Sequence, residues 1–223
     1  MQQKYDIPTV HGTITSLLQD KNIDNIYVCV PNNLHKEMVL AAIEAGKNVL
    51  CEKPMGVNKA EVTEMVSAAK QKNVLLMEAM WTRFFPAMEK ALSFCNNGTA
   101  GNVRSVSIDL GYDGEVAGER GTWHFDNRYG TGALLDMGIY AVFLSHYIFG
   151  KKPDHIYGHA YVNNGIDEYN TATLIYGNSH TVLSSSIVND TSCSVHINCE
   201  NGVVTIPTYW WHPDKCIFTP KGG

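Results

Sequence analysis

The chain has 223 residues, of which 44% are apolar and 17% charged, and a net charge of −5. This mixture suits a folded protein of one large or two small domains, and it lacks the basic footprint of a nucleic-acid binder. No uninterrupted apolar run approaches the ~20 residues of a membrane span, and the first six residues lack the apolar core of a secretory signal. Six scattered cysteines form no Cys-x-x-Cys pair, so reduced thiols and a cytoplasmic protein are expected.

In chain order, Asn25 to Val30 is a short continuous apolar run ended by Pro31, the pattern of a strand buried in a parallel sheet. His35 to Ala45 reads as a helix with Met38, Val39, Ala42 and Ile43 on one face, stopped at Gly46. Asn48 to Glu52 is the next strand. Asn58 to Lys72 is a helix that Asn58 can cap while Glu61 reaches back. Val74 to Met80 is a third buried strand. The β-α-β-α-β order with short connections predicts parallel strands joined by right-handed crossovers.

After Trp81 the pattern changes. Pro86 to Phe94 is predicted helical, Val103 to Leu110 a strand, and Thr131 to Phe149 contains a long apolar helix. Candidate strands then follow at 156–162, 171–176, 181–188, 194–198 and 203–206 without intervening helices, as in an antiparallel sheet. The expected class is α/β: a partial doubly wound parallel sheet over residues 1–82, then an α+β domain with an open, largely antiparallel sheet over 83–223.

The chemistry-bearing residues cluster where strands should end, the side on which open α/β sheets bind ligands. They are Pro31, Asn32 and His35 after the first strand and Glu52, Lys53 and Pro54 after the second. Each segment alone is also explained as an ordinary turn. No His/Cys spacing suggests a metal site. Gly130-Thr131-Gly132 lacks the third glycine of a phosphate loop.

Taken together, Val30-Pro31-Asn32-x-x-His35, Gly46-Lys47-x-Val49-Leu50-Cys51-Glu52-Lys53-Pro54, Met77-Glu78-Ala79-Met80-Trp81-x-Arg83-Phe84 and Gly132-Ala133-Leu134-Leu135-Asp136-Met137-Gly138-Ile139-Tyr140 are more specific. They resemble the glucose–fructose oxidoreductase / inositol dehydrogenase family, and within it the dihydrodiol and D-xylose dehydrogenase branch. The resemblance covers roughly residues 5 to 206. It implies an NADP-dependent oxidoreductase, with NAD as the other choice, acting on a cyclic diol or sugar hydroxyl as a homodimer joined through the C-terminal sheet. It implies Lys53, Asp136 and Tyr140 as catalytic residues. Pro31, Asn32, His35, Glu52, Lys53 and Pro54 would meet the cofactor. Trp81, Arg83, Phe84 and Trp123 are the substrate-side candidates, although both tryptophans can equally be packing. A free tyrosine, with a pKa near ~10, is a poor base at neutral pH. A lysine cation ~4 Å away contributes about 4 kcal/mol at an effective dielectric of ~20, while burial opposes the phenolate.

Relative to the family pattern, the first strand, its Gly-x-Gly-x-x-Gly turn, the helix and the second strand are absent from these residues, so an N-terminally truncated chain is expected. Two rival readings stay open: an inactive or scaffold relative, and a sugar or inositol dehydrogenase of another branch.

Overall fold

The computed structural model describes residues 2–222. The chain divides after Ala79 into two compact units.

The first unit opens with two short helices, α1 (Gln2–Tyr5) and α2 (Ile14–Gln19). Thr13 caps α2, its Oγ1 accepting from Ser16 N at 3.1 Å. Strands β1 (Asn25–Val28), β2 (Asn48–Cys51) and β3 (Leu76–Glu78) alternate with helices α3 (His35–Glu44) and α4 (Lys59–Lys72). The three strands pair in parallel in the order β1-β2-β3, so β1 lies at an edge. Val28, Val49 and Cys51 meet Val39, Ala42, Ile43 and Met65 in one core. The sequence signals at the helix ends hold. Asn58 Oδ1 accepts from Glu61 N at 3.0 Å, and Glu61 Oε2 accepts from Val57 N at 3.3 Å. Gly46 takes the left-handed φ of +72° that ends α3. Lys47, expected only as part of a motif, is buried, with Nζ donating to the Asp20 and Ile23 carbonyls at 2.8 and 2.6 Å.

The second unit contains α5 (Pro86–Asn96), β4 (Val103–Gly111), α6 (Ile139–Phe149), β5 (His155–Asn163), β6 (Ile166–Tyr176), β7 (Ser179–Ser186), β8 (Val195–Cys199), β9 (Gly202–Ile206) and β10 (Ile217–Pro220). Seven strands run in the order β10-β9-β8-β4-β7-β6-β5. All pairs are antiparallel except β4 with β7. Alternation sends Val106, Ile108, Leu183, Ile197 and Val204 to one face, where they join Met88, Ala91, Leu92, Ala141 and Leu144 of α5 and α6. Trp210 completes this core, fully buried with Nε1 donating to Asp109 O at 2.8 Å.

Two expectations are corrected. The long apolar helix over 131–149 is not continuous: a π-helical turn, Leu134–Gly138, precedes α6. The stretch Asn127–Phe149 is also, by length and composition, apolar enough to cross a membrane. In this fold it is broken into short turns, and Tyr140, Ala141, Leu144 and Ser145 of α6 are buried, as in the core helix of a sheet domain. β10 had no counterpart in the sequence reading, because four residues with a proline at the end show little periodicity.

Candidate functional site

The candidate residues fall on both units, and each set is built locally. In the first unit, the chain leaves β1 through Pro31 into a 3-10 turn, Asn32–Leu34, with Asn32 buried. His35 does not stand on the rim. It is fully buried beneath it, with Nδ1 2.9 Å from Pro54 O and Nε2 2.8 Å from Val30 O. The ring therefore ties the loop after β2 to the end of β1.

That loop is held from the other side as well. Glu78, at the end of β3, accepts from Met55 N through Oε1 at 2.7 Å. Glu52 accepts from its neighbour Lys53 N at 3.1 Å and from the Tyr27 hydroxyl. The Tyr27 hydrogen bond to Glu52, then burial and the Glu52 charge, push the phenol up to about 12. Lys53 and Glu52 are half-buried, and Pro54 is buried after a cis peptide bond. Glu78 and Tyr27 were missed as site-shaping residues. Glu78 lay inside a quoted motif, but nothing in its spacing says that its carboxylate reaches back to residue 55.

In the second unit, a 3-10 turn, Trp81–Phe84, follows the unit's first residue. Its Thr82 is buried and donates to Trp211 O at 2.6 Å, which fixes the turn. Trp81 Nε1 then donates to Tyr140 Oη at 2.8 Å. Residues 59 apart in sequence are thereby joined. Tyr140 is buried at the start of α6, while the Trp81 ring is 43% exposed and stacks on His212. Asp136 is half-buried in the π-helical turn. The wider winding there means that Asp136 and Tyr140, four residues apart, do not share an ordinary α-helical turn.

This turn is shaped by a carboxylate and two glycines. Asp167 accepts from Leu134 N at 2.8 Å through Oδ2 and caps the helix. A Cβ on Gly132 would lie 2.1 Å from Asp167 Oδ1, and Gly132 has a φ of +124°. A Cβ on Gly138 would lie 2.9 Å from Ser185 Oγ. The Gly130-Thr131-Gly132 signal therefore belongs to packing and capping.

Of the substrate-side candidates, Phe84 and Trp123 are exposed, the latter 3.8 Å from the His124 ring. Arg83 lies 4.5 Å over the Tyr147 ring, seven residues along α6 from Tyr140. The structure thus joins Trp81 to Tyr140 but turns Arg83 toward a different part of the helix. Near Asp136 lies an unforeseen pair, Tyr112 donating to Glu119 at 2.5 Å. Burial, that hydrogen bond and the Asp136 charge all raise the Tyr112 phenol. Loop residues 113–131 carry no periodic pattern, so sequence reasoning had no means to find it.

Each unit has a counterpart among known proteins. Residues 1–80 match the NAD-binding Rossmann fold of the GFO/IDH/MocA oxidoreductases, and residues 88–205 match the GFO/IDH/MocA C-terminal domain. Among curated relatives, trans-1,2-dihydrobenzene-1,2-diol dehydrogenase of Mus musculus is 38% identical over 211 residues, 93% of this chain and 62% of its own length. The enzyme of that name from Xenopus laevis is 35% identical over 98% of this chain and 66% of its own length. The human one is 36% identical over 96% and 64%. The chain thus spans just under two thirds of these relatives. A levoglucosan dehydrogenase solved with NADH and levoglucosan superposes with a TM-score of 0.89 at 20% identity, covering all of this chain and 64% of that one. An aldose-aldose oxidoreductase from Caulobacter crescentus, solved with glycerol, gives 0.86 at 23% identity, covering all of this chain and 72% of that one. With a C-terminal family domain across more than half of its residues and the family's Rossmann fold before it, the chain belongs to the GFO/IDH/MocA family.

Proposed function

We propose that the chain is the working part of an NAD(P)-dependent dehydrogenase that moves a hydride between nicotinamide and a hydroxyl of a cyclic diol or sugar, with Lys53, Asp136 and Tyr140 as its catalytic residues. The observation that carries this reading is the Trp81–Tyr140 hydrogen bond. Because the indole donates, the phenol oxygen is the acceptor and its own proton can be directed elsewhere. A phenol held in this way suits proton transfer better than plain packing.

The residues present fit the nicotinamide half of a cofactor: the strand ends of the first unit meet at a rim formed by Pro31, Asn32, Glu52 and Lys53, with His35 bracing it from below. The 223 residues contain no Gly-x-Gly-x-x-Gly, so no pyrophosphate contact is assigned. When bound, the nicotinamide supplies the hydride acceptor. Tyr140 Oη takes the proton of the substrate hydroxyl, and Trp81 holds that oxygen in place; Lys53 contributes its cation at the rim of the first unit. Asp136 offers an acceptor to the substrate's hydroxyls, and the exposed rings of Trp81, Phe84 and Trp123 offer flat apolar walls. The names of the curated relatives favour a dihydrodiol as substrate, and NADP is tried before NAD. All six cysteines are free thiols, which supports a cytoplasmic protein, and the open sheet face supports a homodimer.

The test is reduction of NADP, then NAD, with benzene dihydrodiol and D-xylose. Tyr140→Phe should lower kcat by at least ~100-fold with little change in KM. Trp81→Phe, which keeps a ring and removes the donor, should cost about tenfold. Turnover that survives Tyr140→Phe would remove Tyr140 as the base. No turnover with either cofactor, even at concentrations that saturate the weak binding expected of these residues, would favour a non-catalytic relative.

A further inference from the structure

The six cysteines are scattered along the sequence, yet the fold of the second unit brings two of them together. Cys95 lies in the last turn of α5, and Cys199 ends β8. Backbone hydrogen bonds tie these two places to each other. Ala100 N donates to Phe94 O at 2.9 Å, so the chain turns straight back after α5. Asn201 N then donates to Ala100 O at 2.9 Å, and Glu200 N to Asn102 O at 3.1 Å, which fastens the turn after β8 onto that loop. The approach is close: a Cβ on Gly101 would lie 3.0 Å from Glu200 Cβ. Within this frame the two thiols are in contact, with the Cys95 S–H directed at the Cys199 sulfur. Both pack on the margin of the same core. The other neighbours of the two sulfurs are distant carbonyl oxygens, Ala91 O at 3.9 Å from Cys95 and Ile197 O at 3.7 Å from Cys199. Neither side chain is held away from its partner.

The pair is also within reach of solvent. Both thiols are half-buried. Cys95 lines an open cavity of about 630 Å³ whose wall includes Asn96, Arg104, Ser179 and Glu200. A polar wall of this kind admits water and small water-like solutes. Burial raises both thiols, so neither is a fast nucleophile by itself. The contact breaks the symmetry between them. A hydrogen bond from Cys95 favours the thiolate of Cys199 and holds the proton of Cys95.

We propose that Cys95 and Cys199 are a modification site that closes to a reversible disulfide when the chain meets a hydroperoxide. The Cys199 thiolate attacks one oxygen of hydrogen peroxide, the O–O bond breaks, and the other oxygen leaves as water once it is protonated. Cys199 is then a sulfenic acid. The Cys95 sulfur attacks the Cys199 sulfur, the S–S bond forms, and the hydroxyl leaves with the Cys95 proton as a second water. Two thiols thereby lose two electrons to one peroxide. Because Cys95 is already in contact, capture of the sulfenic acid is intramolecular and outruns further oxidation. A dithiol reductant returns both thiols, so the bridge is transient in a reducing compartment. It joins residues ~100 apart in sequence, which constrains the unfolded chain and should raise the thermal midpoint by about 5 °C or more.

The experiment treats the folded 223-residue chain, carrying Cys29→Ser to remove the exposed thiol, with hydrogen peroxide at neutral pH. Alkylation in denaturant and non-reducing peptide mapping follow. The expected main product links Cys95 to Cys199, is reversed by dithiothreitol, and melts at a higher temperature than the reduced chain. With Cys95→Ser, Cys199 should pass on to the sulfinic acid, because nothing captures its sulfenic acid. With Cys199→Ser, Cys95 should stay reduced. The same oxidation in concentrated urea should lose all preference for this pair, which ties the outcome to the fold without relying on either serine variant. A dominant link to Cys51, Cys193 or Cys216, a pair still reduced after prolonged exposure, or a preference that persists in urea overturns the proposal. None of these readouts involves catalysis, so failure here is separate from failure of the dehydrogenase reading.

Discussion

His35 shows how a functional-looking residue can act by holding others. Its ring is enclosed, and each nitrogen faces a carbonyl oxygen, one from Val30 and one from Pro54. Removing it leaves two buried acceptors and a cavity. His35→Ala should therefore cost about 2–4 kcal/mol of stability in urea unfolding, and a loss below ~1 kcal/mol would show that the clamp is dispensable. The thiols give a second test at this scale. Burial, then the Glu78 and Glu52 charges, push Cys51 up to about 12, and burial followed by contact with Cys199 does the same for Cys95. A thiol reacts as thiolate, so at neutral pH both should be inert while exposed Cys29 reacts. Peptide mapping after brief alkylation should find Cys29 labelled first, and Cys51 and Cys95 labelled only after unfolding. Early labelling of Cys51 would contradict its placement.

At the scale of elements, the informative segment is the π-helical turn and the start of α6. The helix begins where Asp167, on the neighbouring strand β6, supplies its carboxylate to Leu134 N. The cap is possible because residue 132 has no side chain. Gly132→Ala would place a methyl 2.1 Å from Asp167 Oδ1 at a φ of +124°, which combines backbone strain with a displaced cap. It should cost about 3 kcal/mol or more, with Asp167→Asn milder because an amide oxygen can still accept. If the two variants proved equally mild in thermal unfolding, the close approach would not govern the turn. Because Tyr140 lies just beyond it, Gly132→Ala should also lower turnover.

For the whole molecule, the phosphate side of the cofactor decides affinity. A Rossmann domain takes much of its dinucleotide binding from glycine-loop amides and a helix N-terminus, and no such loop occurs in these residues. Calorimetric titration of the 223-residue chain with NADP and NAD should therefore give dissociation constants weaker than about 100 μM. Micromolar binding would mean that other amides, such as those around Asn32 and Asn33, hold the phosphates.

Much of the fold was legible because it rests on local periodicity. The apolar runs at 25–30 and 48–52 and the helical stripe at Val39, Ala42 and Ile43 are set by neighbours within one element, as are the Asn58–Glu61 cap and the alternation along β6 to β9. The family motifs likewise pointed to Lys53, Asp136 and Tyr140 before any coordinates. Tertiary structure alone decided what those residues meet. No spacing rule connects Trp81 with Tyr140, Glu78 with Met55, Asp167 with Leu134, or Tyr112 with Glu119 beneath a loop without periodicity. The meeting of Cys95 with Cys199 depends on strand order and register, in which β4 lies beside β7 and β8 rather than its sequence neighbours. Local sequence encodes elements because a helix or strand is stabilised by residues a few positions apart. It does not encode these contacts, because a hydrogen bond between distant residues exists only after packing has brought its two ends together.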